Sequence, residues 1–347
     1  NGSVFIAAGQ DFALSFKTVL WQDSNSDGVG DDDTDGDGIA DVTANLYDNS
    51  VAPNFGNEIA GTALSFSHDA TAYVLNNGTL TSPTINSSSF SGGSTVSGTF
   101  NWNEVGIMDL TASLPSYLGG SAVSTTLPEL GRFIPSDFLV FINDHGTFEA
   151  GCSTCITPFT YLGDTFGYDA TDLPTLTITA VDANGNTTTN YTGAYALLVS
   201  SPSAAFTLTY PTADNTTNNA ASSAKIGVTS APGTPSLTDN ANGTLTLALG
   251  AATMDQFTYD RELISPFAAD LSILINGITD SDTTSTYATP YPVSPESAFE
   301  HRYGRAVLDS TFGSSVAGTT ISIPLTLQYY DAAGSFVENT DDTVTAI

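Results

Sequence analysis

Basic residues are scarce in this chain of 347 residues, which has six Lys and Arg against 37 Asp and Glu and a formal net charge of −31. Lys17 and Lys225 are the only lysines. Nucleic-acid phosphates require many Lys and Arg contacts, and anionic lipid headgroups repel an acidic surface. The composition therefore excludes nucleic acid as a partner and indicates a surface that attracts cations.

Long hydrophobic runs are also missing, and without 18 consecutive apolar residues the sequence predicts no membrane-spanning helix. The chain begins NGSVFIAAGQ, without Met or a basic leader, so we expect a processed or trimmed product that has lost any signal peptide. Strong acidity combined with abundant Ser, Thr, Asn and Gly is typical of secreted and cell-surface proteins.

Cysteine occurs only twice, as Cys152 and Cys155 in the motif CSTC. A redox-active pair would open a helix after a strand, whereas the neighbouring residues here are strand and turn formers. A zinc site would require two further ligands, and the three histidines, His68, His145 and His301, are scattered. The spacing therefore predicts a local disulfide in an oxidising compartment.

Catalytic motifs are lacking as well. The sequence contains no GxSxG, no HExxH and no glycine-rich phosphate loop. The acidic residues are too numerous to single out a glycosidase pair. We therefore expect a protein that is not an enzyme.

Strand-forming segments fill most of the chain, separated by Gly- and Asn-rich turns such as DANGN and SGGS. The clearest are SVFIAA, FALSFKTVLW, STVSGTFNW, DFLVFI, TLTITAVD, YALLVSS, AFTLTY, GTLTLALG, DLSILING, TISIPLTLQYYD and DTVTAI. The only candidate for a helical turn or two is NEVGIMDLTASLPSYLGG. The pattern predicts an all-β chain of tandem antiparallel β-sandwiches of immunoglobulin-like type.

Two Pro-rich junctions divide the chain. They predict an N-terminal β domain at 1–131, an immunoglobulin-like sandwich at 132–231 and a C-terminal sandwich at 232–347.

The segment DSNSDGVGDDDTDGDGIAD, residues 23–41, holds eight aspartates and no cation. Two frames of alternating oxygen ligands with a Gly after the third ligand lie ten residues apart, which is the spacing of a calcium loop. Their predicted ligands are Asp23, Asn25, Asp27, the carbonyl of Val29 and Asp31, then Asp33, Asp35, Asp37, the carbonyl of Ile39 and Asp41.

The frames lack the Glu that closes an EF-hand, since Thr34 and Ala44 stand at the twelfth positions, and no clear helices flank them. They resemble thrombospondin type-three and related bacterial calcium repeats, in which neighbouring loops share acidic ligands. The segment therefore predicts one or two structural Ca²⁺ ions.

The last third carries AFEHRYGRAVLDSTFGSS and ISIPLTLQYYDAAGSFVENTDDT, within residues 298–343. Upstream lie GRFIPSDFLV, CITPFTYLGDTFG and TITAVDANGNTTTNYTG. In this order the motifs resemble MshQ-like proteins over residues 130–343, a family associated with biogenesis of mannose-sensitive haemagglutinin pili of Gram-negative bacteria. Thr343 replaces a cysteine of that family, so the family's disulfide at this point should be absent.

The resemblance implies a secreted, non-enzymatic surface or pilus-associated protein of a Gram-negative bacterium, structural or adhesive in role. One alternative is a filament subunit that donates a terminal strand, SVFIAA or DTVTAI, to its neighbour. A second is a lectin or a glycan-acting enzyme. The corresponding partners are pilus components, identical subunits, or host or surface glycans. Within the motifs, Arg302 and Arg305 are expected to pair with carboxylates, and the tyrosines of the last strands to pack within a sheet.

Overall fold

The computed structural model describes residues 3–19, 49–57, 61–71, 75–199, 205–219, 222–282, 290–313, 316, 318 and 320–345. The chain forms two compact units. The first comprises residues 1–137, 180–195 and 241–243, and the second comprises residues 138–179, 196–240 and 244–347. The described residues form an all-β protein with several sheets, as the alternating sequence pattern predicts. No helix among them is long and apolar enough to cross a membrane.

The first unit contains two sheets. Its strands are β1 (Ile6–Ala7), β2 (Asp11–Phe16), β3 (Ser65–Thr71), β4 (Leu80–Thr81), β5 (Val96–Trp102), β6 (Gly106–Leu114) and β7 (Val123–Ile134). One sheet has the order β1-β7-β6-β3 and the other has the order β2-β5-β4. Short 3₁₀ helices lie at Ser87–Gly93 and Gly193–Tyr195.

Both sheets of this unit contribute to one apolar core, made of Phe12, Phe100, Trp102, Met108, Leu110 and Phe133. Trp102, Phe100, Met108 and Phe133 are fully buried. Burying each such side chain contributes roughly 1.5–3 kcal/mol. The two sheets are therefore held together mainly by aromatic packing.

The expected helical turns in residues 103–120 are absent from the structure, because this segment forms β6. Alternate residues from Gly106 to Leu114 are buried, which is the two-residue period of a strand. Met108 and Leu110 point into the core, whereas Asp109 and Thr111 lie on the outer face. The polar residues between the apolar ones favour a half-buried strand over a helix.

The remaining strands lie wholly or mainly in the second unit. They are β8 (Asp137–Asp144), β9 (Phe148–Glu149), β10 (Phe159–Tyr161), β11 (Thr165–Tyr168), β12 (Thr175–Val181), β13 (Phe206–Thr209), β14 (Ala213–Asn218), β15 (Lys225–Ala231), β16 (Thr234–Asp239), β17 (Thr244–Thr253), β18 (Gln256–Tyr259), β19 (Ile273–Ile278), β20 (Tyr291–Val293), β21 (Glu300–Arg302), β22 (Gly304–Leu308), β23 (Leu325–Tyr330) and β24 (Phe336–Glu338).

These strands form sheets ordered β14-β15-β18-β11-β9, β16-β17-β12-β8, β13-β19-β20 and β22-β23-β24, and a parallel pair β10-β21. Alternating burial in β12 and β17 turns Leu176, Ile178, Leu245 and Leu247 inward and threonines outward. The immunoglobulin-like topology and the domain boundaries 1–131, 132–231 and 232–347 stay predictions.

Two segments expected to be strands adopt other structures. The described part of YALLVSS, residues 195–199, contributes the end of the 3₁₀ turn at Tyr195 and a following turn, and the described part of DTVTAI lies outside the strands. SVFIAA does form β1, which pairs in parallel with residues 133–134 of β7 in its own unit. This intramolecular pairing is the ordinary alternative to donation of that strand.

Candidate functional site

The predicted calcium ligands, from Asp23 to Asp41, all lie outside the described residues. The structure does describe the base from which this acidic segment, residues 20–48, leaves the first unit. Val19 forms an antiparallel bridge with Val51, and the Ala52 amide donates to the Thr18 carbonyl at 2.9 Å. Both ends of the acidic segment are thus held side by side.

A groove of about 550 Å³ opens beside this base in the first unit. Residues that flank the acidic segment in the sequence line one part of the groove. The end of β6 and the beginning of β7 line another part. The groove is lined by Phe16, Lys17, Thr18, Val19, Ala52, Phe55, Leu64, Phe90, Ala112, Ser113, Leu114, Tyr117, Val123, Ser124 and Thr125. Asp and Glu are absent from this lining among the described residues, although the chain has 37 of them.

Aromatic rings define the inner surface of the groove. The Phe55 ring stacks on Tyr117 with centroids 4.6 Å apart and meets Phe90 edge-on at 5.7 Å. The Thr18 hydroxyl is buried in the lining of the same groove and has no hydrogen-bond partner in the described structure.

In the second unit a disulfide joins Cys152 to Cys155, whose Cα atoms lie 5.4 Å apart. The bond packs on the ring of buried Phe159. His145, the histidine nearest in sequence, is exposed, and its Nδ1 accepts from the Ser294 amide at 3.1 Å. Within the described ranges, no group of three or more His, Cys, Asp and Glu residues is placed to hold a metal ion.

A buried arginine organises the end of the second unit. Arg302 is 3% exposed. Its Nη1 donates to Asp341 Oδ2 at 2.8 Å and to Asn339 Oδ1 at 3.0 Å, and its Nε donates to Glu300 at 3.1 Å. The guanidinium also lies over the rings of Phe159 at 4.8 Å and Tyr329 at 4.6 Å. We call these six residues, together with Tyr161, the Arg302 cluster.

Tyr161 completes the cluster through its hydroxyl, which donates to Asp342 at 3.1 Å and accepts from Asn339 at 2.6 Å. Burial is the main cause that raises the pKa of Tyr161 to about 12. A side chain at Gly304 would place its Cβ 2.4 Å from the Tyr161 ring, so only glycine fits there. The sequence motifs FTY, HRYGR, QYY and NTDD therefore meet in space at one arginine.

Arg305 differs from the sequence expectation. Its Nε and Nη2 donate to Gln328 Oε1, at 2.9 and 2.7 Å, and its guanidinium lies 3.5 Å from the centroid of the Phe336 ring. The prediction that each arginine pairs with a carboxylate is confirmed for Arg302. It is wrong for Arg305, whose partners are the Gln328 amide and the face of the Phe336 ring. Tyr303 and Tyr330 pack on the same Phe336 ring, as expected of sheet residues.

His301 is buried to 1% exposure inside a cage of aromatic rings. Phe166, Tyr259, Phe299 and Phe267 have ring centroids 4.5, 4.8, 5.1 and 5.6 Å from the imidazole. Neither ring nitrogen has a hydrogen-bond partner in the described structure. Burial lowers the pKa of His301 to about 3, with nearby Asp214 opposing that shift, so the imidazole is neutral at physiological pH.

Two buried carboxylates, Glu104 and Asp214, hold backbone in place. Glu104 accepts from the amides of Thr189, Asn190 and Val105 and from the Thr189 hydroxyl. Burial raises the pKa of Asp214, but hydrogen bonds from Tyr259, Asp270 and neighbouring amides outweigh it and leave that pKa below its ordinary value. A saturated carboxylate has no free lone pair with which to act on a substrate.

Sequence reasoning missed the groove and the His301 cage. The groove is assembled from segments that are spread between Phe16 and Thr125, and none of them carries a recognisable motif. A signal for the cage existed, because His301 stands between Phe299 and Tyr303 in a segment otherwise typical of a strand. The local sequence pattern, however, does not distinguish a buried histidine of this kind from one on an exposed edge strand.

Three consecutive family models cover the chain. They are DUF6701, second domain, at residues 1–103; DUF6701, third domain, at residues 104–302; and DUF6701, fourth domain, at residues 302–347. No curated protein matches the chain, and neither does any solved structure. Arg302 lies at the boundary between the third and fourth domain models, where its cluster joins residues of both. Because the third-domain model alone spans more than half of the chain, the chain belongs to the DUF6701 family.

Proposed function

We propose that this protein is a non-enzymatic structural or adhesive component of the bacterial surface, of the MshQ-like, pilus-associated kind, stabilised by one or two Ca²⁺ ions. Its localisation would be extracellular or on the surface of a Gram-negative bacterium. The observation that carries the proposal is the Arg302 cluster. It gives a structural role to the motif residues that resemble those of MshQ-like proteins, because they pack together around one arginine. Those residues hold strands of the second unit together.

The disulfide supports export. A four-residue ring closed by Cys152 and Cys155 persists in an oxidising compartment and is rare in the reducing cytosol. The acidic surface supports the same location, since extracellular calcium is present at the millimolar concentrations that weak extracellular sites bind.

Calcium has its support in the sequence frames and in the closed base of the acidic segment. The Val19–Val51 bridge restricts both ends of the loop, which lowers the entropic cost of bringing its carboxylates together. Eight aspartates between residues 23 and 41 repel one another strongly unless a cation neutralises them.

Isothermal titration of the metal-free protein with CaCl₂ tests this proposal. We expect binding at one or two sites, and little or no heat with MgCl₂ at the same concentration, because Mg²⁺ favours fewer protein oxygens. Absence of calcium binding at millimolar concentrations would refute the calcium part.

Association as a filament is the second candidate, favoured by the apolar groove beside an open strand edge in the first unit. Negative-stain microscopy of the purified protein in calcium and in EGTA separates the two. Long fibres would support a filament subunit, and discrete particles in both conditions would support a surface or pilus-tip protein.

A further inference from the structure

We propose that the groove of the first unit binds an extended peptide strand with apolar side chains at alternate positions. This goes beyond the proposed surface role, because it assigns a specific acceptor site and the chemistry of its ligand. The site consists of the groove together with the free edge of β7 at residues 123–127.

The backbone of β7 supplies the first argument. Its far side pairs with β6 along residues 123–133, but on its near side β1 pairs only with residues 133–134. No described strand therefore covers residues 123–127 on that edge, which measures about 17 Å at roughly 3.4 Å per residue. Unpaired amides and carbonyls in a row are a template for another strand.

The side chains supply the second argument. Val123 and Thr125 lie directly opposite core-facing Leu114 and Ala112, so they share the inner face of the sheet. Even so, Val123 is 65% exposed, and Leu127, on the same face, is 46% exposed. Inner-face residues that remain this exposed indicate a missing neighbour, because the β6 residues opposite them are buried.

The third argument concerns the charge of the groove lining, which indicates the kind of ligand. The described lining has no carboxylate in a chain of net charge −31, and Lys17 is its single charged residue. A cationic partner would find no acidic contact among the described lining residues. An uncharged apolar peptide fits the aromatic pair Phe55 and Tyr117.

A panel of seven-residue synthetic peptides that alternate Val, Ile or Phe with Thr is the probe, with scrambled peptides of the same composition as controls. Fluorescence polarisation with the full 347-residue chain measures the affinity, and hydrogen–deuterium exchange locates the site. We expect the alternating peptides to bind more tightly than their scrambled forms and to slow exchange at residues 123–127.

Val123→Asp and Leu127→Asp are the test variants, and Leu118→Asp is the matched control. Leu118 is 78% exposed on the same hairpin but lies outside both the groove lining and the edge at residues 123–127. All three sites are exposed enough to leave folding intact, which circular dichroism verifies. We expect the two test variants to weaken binding about tenfold or more, since an unpaired carboxylate is costly to desolvate, and the control to bind as the wild type does.

Three results would overturn the inference. The first is equal binding of alternating and scrambled peptides. The second is unchanged affinity in both test variants. The third is full competition by the acyl chain of a neutral detergent with no protection at residues 123–127, which would assign the groove to a lipid chain instead.

Discussion

Arg302 donates from Nη1 to Asp341 Oδ2 across 2.8 Å, and this contact joins the third family domain to the fourth. Around it lie the second hydrogen bond to Asn339 and the rings of Phe159 and Tyr329. Because Arg302 is almost fully buried, its charge depends on these partners for compensation. The contact is therefore expected to control whether β22–β24 stay attached to the rest of the unit.

Arg302→Ala should destabilise the second unit by about 3 kcal/mol, the scale of breaking a buried ion pair from one side. Guanidinium denaturation followed by circular dichroism measures the loss, and limited proteolysis shows whether cleavage concentrates at residues 303–345. Arg305→Ala is the control, since Arg305 is exposed and contacts Gln328 and Phe336, so about 1 kcal/mol or less is expected. Equal losses in the two variants would contradict a special role for Arg302.

The sequence predicted this site in part. It predicted carboxylate partners for Arg302 and Arg305, which is correct for Arg302 and wrong for Arg305. What the sequence could not reveal is that Tyr161, about 140 residues upstream, lies over Gly304 and reaches Asn339. That contact depends on the parallel pairing of β10 with β21, which no local pattern encodes.

The strands themselves were easier to predict than their partners. Alternation of apolar and polar residues marks β5, β12 and β17 directly. It failed at YALLVSS, where Tyr195 and Leu198 are buried without strand pairing, because burial alone does not distinguish a packed turn from a strand. Long-range sheet order has no counterpart in local periodicity.

The disulfide should stabilise the attachment of the NTDD segment. Ile156, next to Cys155, donates its amide to the Asp341 carbonyl at 3.4 Å, so the disulfide loop lies against that segment. Replacing both Cys152 and Cys155 by Ser should cost about 2 kcal/mol, the chain-entropy value for so small a ring. Hydrogen exchange should accelerate at residues 151–161 and 339–342 and stay unchanged in β5. Uniform acceleration across the chain would argue against a local effect.

His301 should make the second unit acid-sensitive. The pKa of His301 is about 3 in the folded protein and 6.5 for an ordinary histidine. Between these two pH values the unfolded chain therefore binds a proton at this histidine, whereas the folded chain does not. The stability is fully present above pH 6.5 and falls as the pH drops toward 3. This histidine alone accounts for a loss of about 2 kcal/mol between pH 7.5 and pH 5.

His301→Phe tests this dependence, since phenylalanine suits a cage of four aromatic rings. Carboxylates also titrate in acid, so the relevant quantity is the difference between the pH profiles of variant and wild type. Denaturation at pH 7.5 and pH 5 should show that the variant loses about 2 kcal/mol less than the wild type. Parallel profiles would mean that His301 is not the titrating group.

Replacing Glu104 by glutamine, the amide of the same shape, should destabilise the first unit. All four of its hydrogen-bond donors point at carboxylate oxygens, so Glu104→Gln turns an NH₂ group toward amide N–H groups. We expect the first unit to lose about 2 kcal/mol or more, the cost of unsatisfied buried donors. Denaturation of the variant measures this cost. Glu149→Gln, on the exposed side of β9, should change stability by less than about 0.5 kcal/mol, and a similarly mild Glu104→Gln would contradict the saturated geometry.

Calcium should raise the thermal transition of the protein, because an ion that binds only the folded loop stabilises it by mass action. Calcium at about 100 times the dissociation constant adds about 2.7 kcal/mol. Asp27→Asn together with Asp37→Asn replaces one predicted carboxylate ligand in each frame by a neutral amide and should abolish most of the shift. Glu149→Gln together with Glu338→Gln makes the same change in net charge at exposed positions and should retain it. If both double variants lost the shift equally, calcium would be acting by general screening of the acidic surface, and the loop at residues 23–41 would have no specific site.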